Sequence, residues 1–382
     1  MSSTIKLYYE DSHLYEFDAV VLSCEKTEKG YAVVLDRTAF FPEEGGQYAD
    51  TGKIGEACVS DVQEKDVIFH YTDRPLVPGE KYRCVLDRDI RFRKMQNHSG
   101  EHIVSGIIHK HYGYDNIGFH LGEGYITLDF NGELDQAQLE QIEKEANAAV
   151  YANVPVRTYF PEPKDLAGIE YRSKLDLTEN VRLVEIEGVD MCACCAPHVN
   201  YTGEIGIIKL LDFMRHRGGI RITAACGADA FDVISKMQNN AQTISEMLSA
   251  KRYEIDSAVK RLLEERDGLK SDMIALGNDC ASMLCADGET RCRFFTVMPD
   301  ASARELLNRL KDSFEGIFGV FIGDDEKGYR YYIGSSNVDL KKNARTLNEK
   351  INGRGGGSPL MITGMSAASR EKIVSAFNEL NS

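Results

Sequence analysis

The 382 residues are 43% hydrophobic and 27% charged, an ordinary globular composition, and the chain is too long for one compact core, so two or three domains are expected. A net charge of −15 argues against a general nucleic-acid coat protein, which needs a cationic surface; residues 286 to 382 nevertheless sum to about +1, which leaves room for a local basic face. No apolar run approaches the roughly 20 residues that span a bilayer, and the opening MSSTIKLYYEDSHLYEF lacks the basic leader and apolar core of a signal peptide, so a cytoplasmic protein with ten reduced cysteines is expected.

From Ile5 to about Asp89, short runs such as YAVVLDRTAF and KYRCVLDRDI alternate apolar and polar residues between Gly, Pro and Asp clusters. That pattern predicts strands joined by tight turns, a small barrel or sandwich over residues 1–90. The texture changes at Arg91. Ile103, Ile107 and Ile108 suit a helix from Met95 to Tyr112 that Gly113 would end. A strand (Tyr125 to Phe130), a second helix (Leu134 to Tyr151) and further strands (Val156 to Phe160, Val181 to Ile186, Gly206 to Phe213) make residues 91–227 an α+β core.

Residues 228–287 form the longest helical stretch, with Ala, Leu, Ile, Leu, Leu and Leu at 241, 248, 255, 262, 269 and 276. Lys251, Glu265 and Asp272 spoil the companion seam of a long coiled coil. A helix or helical hairpin packed along one stripe is expected, with Gly268 as its weak point. Residues 288–382 alternate strands (Cys292 to Val297, Ile317 to Ile322, Tyr329 to Ile333) with helices (Ser302 to Ser313, then two more) and read as a separate α/β module. The fold class is α+β multidomain: an N-terminal β-barrel-like domain, an α+β core, a helical connector and a C-terminal α/β module.

Two motifs carry chemistry. HSGEH puts His98 and His102 four apart, on one face of a helix with Cβ atoms about 5–6 Å apart, where two imidazoles can close on one ion. CCAPH puts Cys194 and His198 four apart in the same α+β segment. Imidazoles with a thiolate suit zinc better than a hard cation. Cys195 and Cys192 are alternative thiol ligands, but Cys194 preserves the CxxxH spacing.

HxxxH, then CxxxH about 90 residues on, then VNYTGEIG, resembles the editing domain of alanyl-tRNA synthetase, and more closely the freestanding alanyl-tRNA editing proteins of AlaX type. FPEEGGQYADTG (Phe41 to Gly52) is similar to that family's glycine-rich segment, GGIRITAACGADA (Gly218 to Ala230) to its basic strand, and NGRGGGSP (Asn352 to Pro359) to the DHH-associated domain of its long forms. The matches run through nearly the whole chain in the family's order. Where the family carries Gly or Thr between the second ligand pair, this chain has Cys195, Ala196 and Pro197.

The resemblance implies that His98, His102, Cys194 and His198 surround Zn2+, and that the substrate is Ser-tRNA(Ala), with Gly-tRNA(Ala) as a second. Ser99 matches the family's small hydroxyl residue, and His120 lies where the synthetase has a pocket glutamine; both are candidates for sensing the side chain. A pocket built to hydrogen-bond a hydroxyl can disfavour the analogue lacking it by about 10⁴. Glu101 and Glu204 are candidate general bases or orienters of a ligand imidazole. Gly45, Gly46 and Gln47 form a flexible loop near the site or an ordinary hairpin turn. Arg354, Gly355 and Gly356, in a glycine-rich loop, offer N–H groups and a cation to an RNA backbone. tRNA is the implied partner, and a homodimer through the connector or the terminal module is a further expectation.

Two other readings compete. HSGEH also fits the H-x-x-E-H signature of inverted-motif metalloproteases, which leaves CCAPH without a role. A non-enzymatic tRNA-binding or oligomerisation protein with a structural zinc is the other, and four protein ligands would favour it. Given the strand-rich start and the absence of a P-loop in these 382 residues, an ATP-using activation domain, and so a full synthetase, is not expected.

Overall fold

The computed structural model describes residues 4–28, 30–166, 168–173, 180–284 and 290–381. The chain folds as two compact units, Met1–Gln242 and Thr243–Ser382. The α+β multidomain class predicted from sequence is what is observed. The expected boundary near residue 287 lies outside the described residues.

The first unit opens with a closed six-stranded antiparallel barrel in the order Glu16–Thr27, Gly30–Leu35, Ile68–Thr72, Ala57–Glu64, Gly52–Ile54, Lys81–Leu86. Along Ala57–Glu64 a bulge between Val59 and Asp61 shifts the alternation by one residue, so Ala57 and Val59 before it and Val62 after it all point inward, where with Ile68 they join Val33, Leu35 and Ile54. Closure leaves no open edge.

His70 is wholly buried in the barrel wall, its Nδ1–H donating to Val33 O (3.2 Å) and its Nε2 accepting from Thr38 Oγ1 (2.8 Å). Burial pushes its pKa down from 6.5 to about 4, against the raising effect of the Val33 bond. The unfolded chain therefore takes up a proton that the native ring refuses. Stability is full above about pH 6.5 and falls by roughly 3 kcal/mol as the pH drops through that window to about 4. Urea denaturation at pH 7 and pH 4.5 should show this loss, and His70→Gln should flatten it.

Helix α1 (Arg88–Tyr112) follows the barrel and ends at Gly113, which adopts the left-handed conformation (φ 68°) and donates to His109 O. Nearly every side chain from Arg91 to Ile108 is buried, so α1 is the central post of the unit. An antiparallel sheet in the order Ile208–His216, Gly219–Cys226, Ile126–Phe130, Asn116–Leu121 packs on it, as does α2 (Gln136–Ala152), whose Asp135 and Gln138 form a reciprocal capping box. A three-stranded antiparallel sheet, Val156–Tyr159, Leu183–Ile186, Asp190–Ala193, leads into the second motif.

The long helical stretch is two helices, Gly227–Met247 and Ile255–Leu284. The chain breaks at Ser249 (φ 48°), and the second helix continues through Gly268. The expected packed stripe is corrected: Leu262, Leu269 and Leu276 are 50%, 63% and 66% exposed, while Ala258, Gly277 and Ala281 are the buried positions. Small residues allow close packing where a leucine row would hold the next element off.

In the second unit a mixed sheet runs Cys292–Phe295, Phe318–Asp324, Gly328–Gly334, Met361–Ser366, Gly353–Gly357, parallel only in its first pair, with helices Asp300–Ser313, Leu340–Lys350 and Arg370–Asn381. Arg354, Gly355 and Gly356, read as part of a loop, lie instead in the edge strand Gly353–Gly357, paired antiparallel with Met361–Ser366. Among the described residues no helix is long and apolar enough to cross a membrane.

Candidate metal centre

His98 and His102 project from one face of α1 with ring centroids 5.5 Å apart. Strand Asp190–Ala193 ends just before Cys194, and the loop to His198 brings its ring 4.9 Å from that of His98 and 4.6 Å from that of His102. The donor atoms of His98, His102, Cys194 and His198 all lie within 4.8 Å of one another. Buried Arg182 holds the loop, donating to Cys194 O and Ala196 O at 2.9 Å each.

Each imidazole is fixed at Nδ1 by a different group. His102 Nδ1–H donates to Asp190 Oδ2 (3.0 Å), and Arg172 grips that carboxylate with two bonds of 2.7 and 2.8 Å. His98 Nδ1 meets Gln47 Oε1 at 3.0 Å, and His198 Nδ1 meets Ser99 Oγ at 3.0 Å. The Nε2 atoms of His98 and His198 turn inward, 3.5 and 3.4 Å from Cys194 Sγ. Anchoring one ring nitrogen while the other points at a common centre is how proteins orient imidazole ligands. Three such nitrogens and a thiol are a donor set that fits zinc.

The electrostatics of Cys194 and His198 favour the thiolate and the neutral ring that bind a metal. Burial alone would raise the Cys194 thiol, but the His98 charge and hydrogen bonds from His102 and His198 hold it well below its ordinary value. Burial pushes His198 down to about 3. Burial would likewise lower His102, but Cys192, Glu101 and the Asp190 bond hold it well above 6.5. Asp190, which burial would raise, is brought down to about 2 by hydrogen bonds from His102 and Arg172.

The remaining candidates fall around this group. Glu101 is buried, its Oε1 accepting from Ser105 Oγ (2.7 Å) and Asn116 Nδ2 (2.8 Å), with Oε2 3.7 Å from His102 Nε2. Ser99 lies inside α1 and also accepts from Val199 N–H (3.2 Å). Glu204 is engaged elsewhere: it accepts from the N–H groups of Asn200 and Tyr201 and pairs with His13 at 2.7 Å. His120 is exposed and meets the Tyr48 hydroxyl at 3.3 Å, while its strand neighbour Phe119 packs on His98 with centroids 4.8 Å apart. Cys192 joins a second group with His102 and Asp190, whereas Cys195 lies beside Gly45. The second unit carries Arg354, Gly355 and Gly356. Asp190, Arg172, Arg182 and Phe119 carried no motif; only strand alternation beside His120 hinted at Phe119.

Gly45 and Gly46 form a tight turn closed by reciprocal bonds between Glu44 and Gln47 (3.1 and 3.0 Å), and Gln47 beyond it is fully buried. Gly46 has φ +83°, and a Cβ there would stand 2.6 Å from Phe119 O. Gly46→Ala should therefore cost about 1–3 kcal/mol in a denaturation titration. Because the turn delivers Gln47 to His98, zinc affinity should fall with it.

Residues 181–224 match the family described as the threonyl and alanyl tRNA synthetase second additional domain. The chain is 37% identical over 243 residues to an alanyl-tRNA editing protein AlaX-L from Pyrococcus horikoshii, covering 61% of this chain and 59% of that protein. It is 32% identical over 307 residues to an alanine–tRNA ligase from Halorubrum lacusprofundi, 75% of this chain but 33% of the ligase. Against an alanyl-tRNA editing protein Aarsd1-B from Xenopus laevis it is 27% identical over 346 residues, 87% of this chain and 84% of that protein. The chain thus spans less than two thirds of the length of the first two relatives.

Proposed function

We propose that this chain, which is related to the alanyl-tRNA editing proteins of AlaX type and to the alanine–tRNA ligases, is a zinc-dependent hydrolase that removes serine, and secondarily glycine, from mischarged alanine tRNA. One observation carries the reading: three imidazoles, each anchored at Nδ1, converge with one thiol on a common centre. His98, His102, Cys194 and His198 would hold the zinc. With one coordination position left open to the substrate, zinc there would supply Lewis acidity toward the ester.

The chain's own groups do the rest. Glu101, oriented by Ser105 and Asn116, takes the proton of the attacking water. As the bond from the acyl carbon to the ribose oxygen breaks, that proton passes to the departing hydroxyl. The Ser99 oxygen accepts from Val199 N–H and from His198 Nδ1 once Nε2 faces the metal, which leaves the Ser99 hydroxyl hydrogen for the substrate's side chain. Glu204 positions His13 and the 200–201 backbone at the edge of the site.

The same reading keeps the division into residues 1–90, 91–227, 228–287 and 288–382, with tRNA as partner and the cytoplasm as location. Arg354, Gly355 and Gly356 are offered to RNA on an exposed edge strand. The exposed Leu262, Leu269 and Leu276 support self-association through the connector.

Incubation with Ser-tRNA(Ala) and Ala-tRNA(Ala) tests the proposal. The seryl ester should be cleaved in preference by about 10⁴, and Ser99→Ala should erode the preference more than the rate. A second reading, a non-hydrolytic tRNA-binding protein, rests on the group having four donors, the number a closed structural zinc uses. It prevails if tRNA binds and neither ester is cleaved.

A further inference from the structure

Beside the metal centre, within the first unit, lies a cleft of about 850 Å³ that the reaction above does not use. Its position follows from one step of extended chain. Gln47 turns inward to His98 and is fully buried, and the next residue, Tyr48, turns outward into the cleft and is 47% exposed. Tyr48 is held by its hydroxyl, 3.3 Å from His120 Nε2, with the two rings at 81°, so no ring is stacked parallel upon it by His120. Across the cleft Tyr125, 43% exposed, lies over Gly122, where a Cβ would come within 2.9 Å of the ring. A side chain at 122 would lift Tyr125 out of place.

The charges say what the cleft takes. Its lining holds three cations (Arg93, Lys94, Lys236) and three carboxylates (Glu123, Asp229, Asp232). Arg93 is spent on Asp229 and Asp232 at 2.6 and 2.8 Å, and Lys94 on the carbonyls of Tyr48 and Ala49 at 3.2 and 2.6 Å. A balanced, mostly apolar cleft with aromatic rings is poor for a run of phosphates and suited to a neutral planar group.

We infer that this cleft is the subsite for the base of the nucleoside that carries the ester, with Tyr48 as the stacking residue nearest the reacting centre and Tyr125 as the opposite wall. The inference rests on the proposed ester hydrolysis for its choice of ligand. Tyr48 is a positioning residue: it holds the base while the acyl group lies at the metal centre.

The test uses the zinc-loaded full chain and a non-hydrolysable ligand, 3′-(L-seryl)amido-3′-deoxyadenosine, beside the same amide on a ribose without its base. Calorimetric titration should show that Tyr48→Ala weakens the adenosine amide about tenfold, the size of one base–aromatic stack, that Tyr48→Phe does so far less, and that neither substitution changes the base-free amide. On the seryl ester of alanine tRNA, Tyr48→Ala should raise KM and leave kcat unchanged. Equal weakening of both amides, or none of either, overturns the subsite. If no ester is cleaved but adenosine-amide binding still depends on Tyr48, the hydrolase reading falls and the subsite stands.

Discussion

Replacing Cys194 by alanine should weaken zinc binding by more than about a hundredfold, and replacing Asp190 by asparagine should weaken it by about ten- to a hundredfold. The first effect removes the only thiol in the four-residue group. The second removes no ligand. Asp190 is 3.0 Å from His102 Nδ1 and is itself held by Arg172, so its charge fixes the tautomer and the direction of His102. Asparagine keeps the size and loses the charge. Competition with a chelating dye checks both, and an Asp190→Asn affinity equal to that of the native protein would show that His102 is aligned by packing alone.

Asp50→Ala is expected to cost about 3–5 kcal/mol in a urea titration. Arg91 and Asp50 are each 1% exposed and joined by bonds of 2.8 and 2.5 Å, and Arg91 also donates to Ser12 O at 3.0 Å and to Ala39 O. Asp50 Oδ2 further accepts from Phe41 N–H at 2.8 Å, and Lys94 Nζ stands 3.6 Å from Oδ1. The variant leaves two cations near or within the interior without their carboxylate. The pair fastens α1 to the segment that bears Gln47 and Tyr48, so zinc affinity should fall in parallel with stability. Asp50→Asn, which retains acceptors for Phe41 and Arg91, should lose less. A loss below about 1 kcal/mol would mean that surrounding packing, and not the ion pair, fixes that junction.

What could be read beforehand was whatever depends on local spacing. The alternation in YAVVLDRTAF and KYRCVLDRDI pointed to strands, which form as Gly30–Leu35 and Lys81–Leu86 of the barrel, and Gly113 marked the end of α1 because a left-handed residue suits glycine. HSGEH needed only a helix to put two rings on one face. Pairings across the chain were another matter. Asp190 meets His102 from 88 residues away, and Gln47 meets His98 across 51; neither has a local signature. Glu204 lay close to the second motif in sequence, yet its carboxylate caps the short turn Thr202–Ile205. Position 120 matched a family residue, but alternation in strand Asn116–Leu121 turns His120 toward Tyr48 and Phe119 toward His98. The leucines at 262, 269 and 276 kept a seven-residue period that the second unit does not bury. Periodicity reports which residues share a face, not whether that face is covered.

The most direct measurement is hydrolysis of Ser-tRNA(Ala) by the full chain after its metal is removed with a chelator, and again after zinc is restored, with Cys194→Ala carried in parallel. Activity should vanish on removal, return with zinc, and stay absent in the variant while the variant still binds tRNA. Undiminished cleavage by the metal-free protein, or by Cys194→Ala, would contradict the assignment of His98, His102, Cys194 and His198 as the centre of the reaction.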